Sequence, residues 1–128
     1  MDNLFSIKGK VAVITGAGGV LGGSIAKSFV NAGAKVVAMD IRPENLDVRV
    51  KELTENGGEV IGVVGNVLDI PSLEMAAKTI IEKWGRIDIL LNIAGGNTPG
   101  GTLTEDKTFF DMNIADWEKV TNLNMNGT

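Results

Sequence analysis

The sequence predicts an α/β fold built on a doubly wound parallel sheet. Three observations carry this: short β-branched runs alternate with stretches of helical periodicity, glycines crowd the first strand-to-helix turn, and an aspartate closes the second strand. Lys10 to Thr15 (KVAVIT) reads as a buried strand, because its apolar core is unbroken and runs into glycines. Leu21, Ile25, Ala26 and Phe29 then recur at helical spacing until Gly33 stops them. Ala34 to Met39 (AKVVAM) is the second strand. Pro43 opens a second helix with Leu46, Val50 and Leu53 on one side, and Asn56-Gly57-Gly58 ends it. Glu59 to Val64 (EVIGVV) is the third strand. Asp69 or Ser72 caps a helix whose stripe is Leu73, Ala76, Ala77, Ile80, Ile81 and Trp84, with Gly85 as its stop. Ile87 to Leu91 (IDILL) is the fourth strand. A Gly/Thr/Pro-rich loop runs from Gly95 to about Thr104. Asn113, with Asp116 after it in a capping box, starts a last helix bearing Trp117, Val120 and Leu123. Right-handed crossovers put the strands in the order 3-2-1-4, with a crevice between the first and the fourth.

Composition narrows the function. The 128 residues suit one domain, and 44% hydrophobic content reads as globular. A formal charge of −4 argues against nucleic acid and anionic membranes, which reward positive charge. There is no cysteine, hence neither disulfides nor thiolate chemistry. Met1 to Lys10 lacks an apolar core of signal-peptide length, and no apolar run is long enough to span a bilayer, so the cytoplasm is the expected location. The chain also has no His and no Tyr, which removes two common acid–base groups.

The turn Thr15-Gly16-Ala17-Gly18-Gly19-Val20-Leu21-Gly22 joins the first strand to the first helix. Glycines there let the backbone turn tightly against a pyrophosphate, and the helix N-terminus offers N–H groups and a positive dipole. Neither G-x-G-x-x-G nor G-x-x-x-G-x-G is met strictly, because Leu21 or Val20 stands where each wants glycine. A Walker-type loop fails as well, with Ser24 at the lysine position. A tight turn without a ligand remains the alternative. Asp40, 18 residues after Gly22, stands where a carboxylate would accept the adenosine ribose hydroxyls. It would repel a 2′-phosphate, favouring NAD over NADP, although Arg42 could pair with that phosphate. An Asp that only starts a loop or caps the next helix is the other reading. Together the turn and Asp40 point to a Rossmann-type dinucleotide site.

These residues resemble the short-chain dehydrogenase/reductases. The family's T-G-x-x-x-G-x-G is matched by Thr15, Gly16 and Gly22 but not at Val20. Its N-N-A-G is similar to Asn92-Ile93-Ala94-Gly95, its D-V to Asn66-Val67, and its N-x-x-G to Asn124-Met125-Asn126-Gly127. The resemblance implies NAD held by Gly16, Gly18, Gly19, Leu21, Gly22, Asp40, Asn66, Val67, Asn92, Ala94 and Gly95. Asn66 replaces an aspartate, and its carbonyl oxygen can still accept from adenine. Ile93 reads as packing. GAGGVLG together with Ala94-Gly95-Gly96-Asn97-Thr98-Pro99-Gly100 resembles the branch that interconverts D-mannonate and D-fructuronate, so a polyol or sugar acid is the implied substrate and a homo-oligomer the implied assembly.

The family's catalytic set is Asn, Ser, Tyr and Lys, with Tyr as acid/base. Only Asn124 carries over, in the role of holding a water in the proton relay. Thr128 ends the sequence ahead of the other three, so residues 1–128 are expected to be the cofactor-binding N-terminal part of a longer dehydrogenase domain, inactive alone. A non-catalytic NAD-binding module and a regulatory Rossmann scaffold are the alternatives. The carboxylate pairs Asp47/Glu52 and Asp111/Asp116 read as solvated helix faces and caps, and no metal constellation is expected without His or Cys.

Overall fold

Strand β1 (Val11–Thr15) lies inside a parallel sheet, between β2 (Lys35–Asp40) and β4 (Ile89–Leu91), with β3 (Val60–Val64) beyond β2. The order is therefore 3-2-1-4, as the alternating pattern predicts. This computed structural model describes residues 4–128; the first three residues of the polar opening segment lie outside them. The helices are α1 (Val20–Asn31), α2 (Pro43–Glu55), α3 (Ile70–Trp84) and α4 (Ile114–Thr121). Among the described residues no helix is long and apolar enough to cross a membrane.

The two faces of the sheet follow from the period of two along each strand. Ile14, Val36 and Ala38 share one cluster with Ala26 and Val30 of α1 and with Leu46 and Leu53 of α2. Val11, Val13, Val37 and Met39 face the other way, onto Ala76 and Ile80 of α3. Both sides of β1 and β2 are thus covered, which is why their sequences are continuously apolar.

Helix ends follow local chemistry. Asp69 Oδ2 accepts from the Ser72 N–H at 3.1 Å, so Asp69 rather than Ser72 caps α3. Gly85 ends that helix at φ +74°, a conformation glycine adopts without a Cβ penalty. Asn113 caps α4 by accepting from the Ala115 N–H at 2.8 Å. The expected capping box with Asp116 is not formed; that carboxylate turns to Lys119 instead, at 3.8 Å. Asp111 makes the reciprocal contact elsewhere, accepting the N–H and O–H of Thr108 ahead of a short 3₁₀ turn, Phe109–Asp111.

Two further departures concern the last third. β4 has three residues, not five, because Asp88 meets Val11 through its side chain as well as its N–H: the carboxylate accepts the Val11 N–H at 2.8 Å. The Gly-rich loop contains a 3₁₀ turn at Pro99–Gly101, where Thr98 Oγ1 accepts from the Gly101 N–H. Beyond α4 the chain continues as a π-helical segment, Asn122–Asn126, which helical periodicity alone does not signal.

Candidate functional site

A cavity of about 580 Å³ opens at the carboxyl ends of β1, β2 and β4, within the size range of cofactor clefts. This is the switch point of a doubly wound sheet, where β1 feeds neighbours on both sides. Gly16, Gly19, Leu21, Gly22, Asp40, Asn66, Val67, Asn92, Ala94, Gly95 and Asn124 all line it. Gly18 does not. It is set back against Asp40, with its N–H bonded to that carboxylate, so the turn offers one fewer cradle residue than the glycine pattern suggests.

The glycine turn is shaped by close backbone approach. Gly16 has φ +67°, and a Cβ there would lie 3.0 Å from the Ala94 backbone. A Cβ on Gly22 would run into the Gly16 carbonyl. Gly19 caps α1 without a side chain, so the N–H groups of Val20, Leu21 and Gly22 begin the helix at the cavity wall. Val20, where the family pattern has glycine, carries its side chain outward at 90% exposure and leaves the turn intact.

Asp40 is 7% exposed and spans two elements. Its Oδ2 accepts the Gly18 N–H at 3.0 Å and its Oδ1 accepts the Arg42 N–H at 3.0 Å. It therefore starts the loop into α2, as one of the two readings has it, while also lining the cavity. The Arg42 guanidinium lies 3.9 Å from Oδ1 and is mostly exposed, and Arg42 too lines the cavity. Asn66 forms a local turn: its Oδ1 accepts the Leu68 N–H at 2.9 Å, and its N–H donates to Ser72 Oγ. One lone pair of that oxygen remains for a ligand.

Thr15 joins the two sides of the crevice. Its buried hydroxyl donates to the Leu91 carbonyl and accepts from the N–H groups of Ile93 and Ala94, both at 3.0 Å. Ile93 packs on the core as expected and also lines the cavity. Asn124 clamps the far wall. Its Nδ2 donates to the carbonyls of Gly96 and Val120, both at 2.7 Å, and its Oδ1 accepts from the Gly96 N–H at 3.0 Å. Gly95 must lack a side chain for this, since a Cβ would come within 2.5 Å of Asn124 Oδ1.

Reading the sequence for motifs passes over Arg49 of α2, whose guanidinium bonds the carbonyls of Ala17 and Gly19. A signal existed: Arg49 sits between Leu46 and Leu53 on the side of the helix that faces the core, where a charge needs a partner.

Comparison with known proteins agrees with this geometry. The family model for short chain dehydrogenases matches residues 10–128. The 3-oxoacyl-[acyl-carrier-protein] reductase FabG of Thermotoga maritima is 38% identical over 121 residues, covering 94% of this chain and 46% of that one. A crystal structure from Haemophilus influenzae, provisionally assigned as a D-mannonate oxidoreductase with bound NAD, superposes with a TM-score of 0.86 at 34% identity, over 95% of this chain and 47% of that one. A short chain dehydrogenase/reductase from Burkholderia phymatum in complex with NAD superposes at 0.78 and 29% identity, over 97% and 42%. The chain thus spans about half the length of the relatives it matches. With the family model covering nearly all of the chain, and the glycine turn, Asp40 and Asn124 gathered around one crevice, this chain belongs to the short chain dehydrogenase family.

Proposed function

We propose that this chain is the NAD-binding half of an oxidoreductase that moves a hydride between NAD(H) and a sugar acid, with D-mannonate and D-fructuronate as the substrate pair. The observation that carries the cofactor reading is Asp40, a buried carboxylate in the wall of the cavity at the end of β2. The residues fit a dinucleotide. The α1 N-terminus and the turn from Gly16 to Gly22 take the pyrophosphate, and Asp40 accepts the adenosine ribose hydroxyls. Asn66, Val67, Asn92, Ala94 and Gly95 line the rest of the same cavity and would complete the cofactor site. NAD supplies the hydride acceptor when bound. Support for a sugar acid comes from the Haemophilus structure and from the loop after Gly95, which Asn124 ties to the cavity.

The chain has no Tyr and no His, so residues 1–128 alone hold the cofactor without turning over substrate. The acid/base group then comes from the rest of the protein. A homo-oligomer in the cytoplasm is part of the same proposal; it rests on the family resemblance, and no helix among the described residues suits a membrane. Calorimetric titration tests the cofactor. NAD should bind more tightly than NADP, and Asp40→Ala should weaken NAD about tenfold and narrow the gap, since hydrogen bonds to a charged group contribute about 1.5–3 kcal/mol. Equal affinity for the two cofactors in the parent protein would overturn the role of Asp40. Oxidation of D-mannonate by the whole protein, and none by residues 1–128, tests the rest.

A further inference from the structure

We infer that Arg49 is a positioning residue that sets the amide geometry of the pyrophosphate turn from behind, without touching the cofactor. The inference rests on the NAD reading above. Arg49 stands on α2 with its side chain 19% exposed, and it does not line the cavity. Its Nε donates to the Ala17 carbonyl at 3.1 Å and its Nη2 to the Gly19 carbonyl at 3.3 Å. Its Nη1 donates to Glu52 Oε2 at 2.5 Å, which holds the guanidinium in place from one helical turn away. The space it fills is vacated by Gly23, where any Cβ would collide with the guanidinium carbon and nitrogens.

The consequence follows from peptide planarity. A carbonyl and the next residue's N–H belong to one rigid plane and point in opposite directions in a trans peptide, and no peptide among the described residues is cis. The Ala17–Gly18 unit is gripped at both ends, its carbonyl by Arg49 and its N–H by Asp40 Oδ2. That plane is therefore fixed before any ligand arrives, and Asp40 keeps a separate anchor in the Arg42 N–H, which donates to its Oδ1 at 3.0 Å. In the Gly19–Val20 unit the carbonyl accepts the Gly23 N–H of α1 at 3.0 Å and Arg49 adds a second donor from the α2 side, so Arg49 reinforces a plane that α1 already sets, at the cavity that Gly19 and Val20 line. Glycines alone leave these planes free to rotate. Preorganising them lowers the ordering cost when a pyrophosphate arrives. A planar fork suits this task, and a lysine cannot make three such bonds in one plane.

The test is a ligand series on the full-length protein. NAD, ADP and adenosine are titrated against the parent, Arg49→Met and Arg49→Lys, with thermal melts to verify folding. Arg49→Met should weaken NAD and ADP about tenfold and leave adenosine within about twofold, because only the first two carry a pyrophosphate. Arg49→Lys should behave like Arg49→Met, since it keeps the charge and loses the fork. Gly23→Ala is an independent route: it displaces the guanidinium with Arg49 still present, and should give the same selective loss even if Arg49→Met does not fold. Amide chemical shifts of Gly18 and Val20 should move in every variant. Unchanged NAD affinity in folded Arg49→Met and Gly23→Ala overturns the inference. So does an equal loss for all three ligands, which marks a general structural role, or full affinity in Arg49→Lys, which marks charge alone. A parent protein that binds no NAD overturns the cofactor reading itself, and is a separate result.

Discussion

The two sides of the crevice are built differently. On the β1–β2 side every residue of β1 and all but the first of β2 is buried, and the glycine turn is held by Asp40 and Arg49. On the β4–α4 side no residue of either element is buried, Leu90 is 58% exposed, and Phe110 just before α4 is 93% exposed. The β1–β2 side is therefore shaped by packing within the chain. The other side is held in place by a few polar contacts, chiefly those of Thr15 and Asn124. A well-packed wall and a lightly packed second wall suit a family whose relatives here include both an acyl-carrier-protein reductase and a provisional mannonate oxidoreductase.

The contrast can be broken at four places. Leu53 is fully buried in the core between α1, α2 and the sheet, so Leu53→Ala should cost about 2–5 kcal/mol in denaturant melts. A loss below about 1 kcal/mol would mean that this side is packed no better than the other. Next comes the edge. β4 pairs only with β1 and lacks the lysine, proline or bulge that guards a sheet edge. Residues 1–128 should self-associate at micromolar concentration in sedimentation velocity, and Leu90→Lys should shift the distribution toward monomer. A parent that sediments as one cooperative monomer would show that this side closes on itself.

Third, Asp88 links the two sides. The Arg86 guanidinium first, and then the Val11 N–H, hold its carboxyl below the usual value of 3.8. A folded pKa below the unfolded one means that its stabilisation is complete above the unfolded value and is lost as pH falls through the folded one. The difference in melting temperature between the parent and Asp88→Asn should thus be flat from about pH 7 to pH 5 and shrink below about pH 4. A gap that widens on acidification would reverse the assignment. Smallest of all, Phe110→Ala should change stability by no more than about 0.5 kcal/mol, since the ring is almost wholly exposed. A larger loss would reveal packing that Phe110 gains from something beyond these residues.

Legibility in the sequence divides along the same line. β1, β2 and the helices that cover them were readable because burial on both faces leaves an unbroken apolar run, as in VAVI and VVAM. Asp40 stood out as the acidic end of such a run. The fourth strand was read too long because IDILL looks uniformly strand-like, whereas Asp88 spends its carboxylate on Val11. Asp116 has the spacing of a capping box, but Lys119 lies one turn on and competes for it. The Asn124 clamp joins residues 28 positions apart, and no local pattern encodes that. Arg49 is legible as a charge on the core-facing side of α2, but its partners are not: Ala17 and Gly19 contribute only backbone carbonyls, which leave no trace in side-chain identity.

The position of β4 also bears on the order in which the fold assembles. β1 pairs with β2 over a short stretch of chain, Val11 opposite Lys35, but with β4 only after the chain has returned to set Ile89 beside Ala12. Closing that roughly threefold longer loop costs roughly 1 kcal/mol more chain entropy, and three ladder residues repay little of it. The β1–α1–β2 unit, complete with its glycine turn, should thus form first, and β4 should be the last strand to dock and the first to leave. Brief opening at β4 would expose the Ile93 and Ala94 amides to solvent exchange while those of β2 stay protected, so the β4–α4 wall of the crevice would breathe at a lower free energy than the β1–β2 wall.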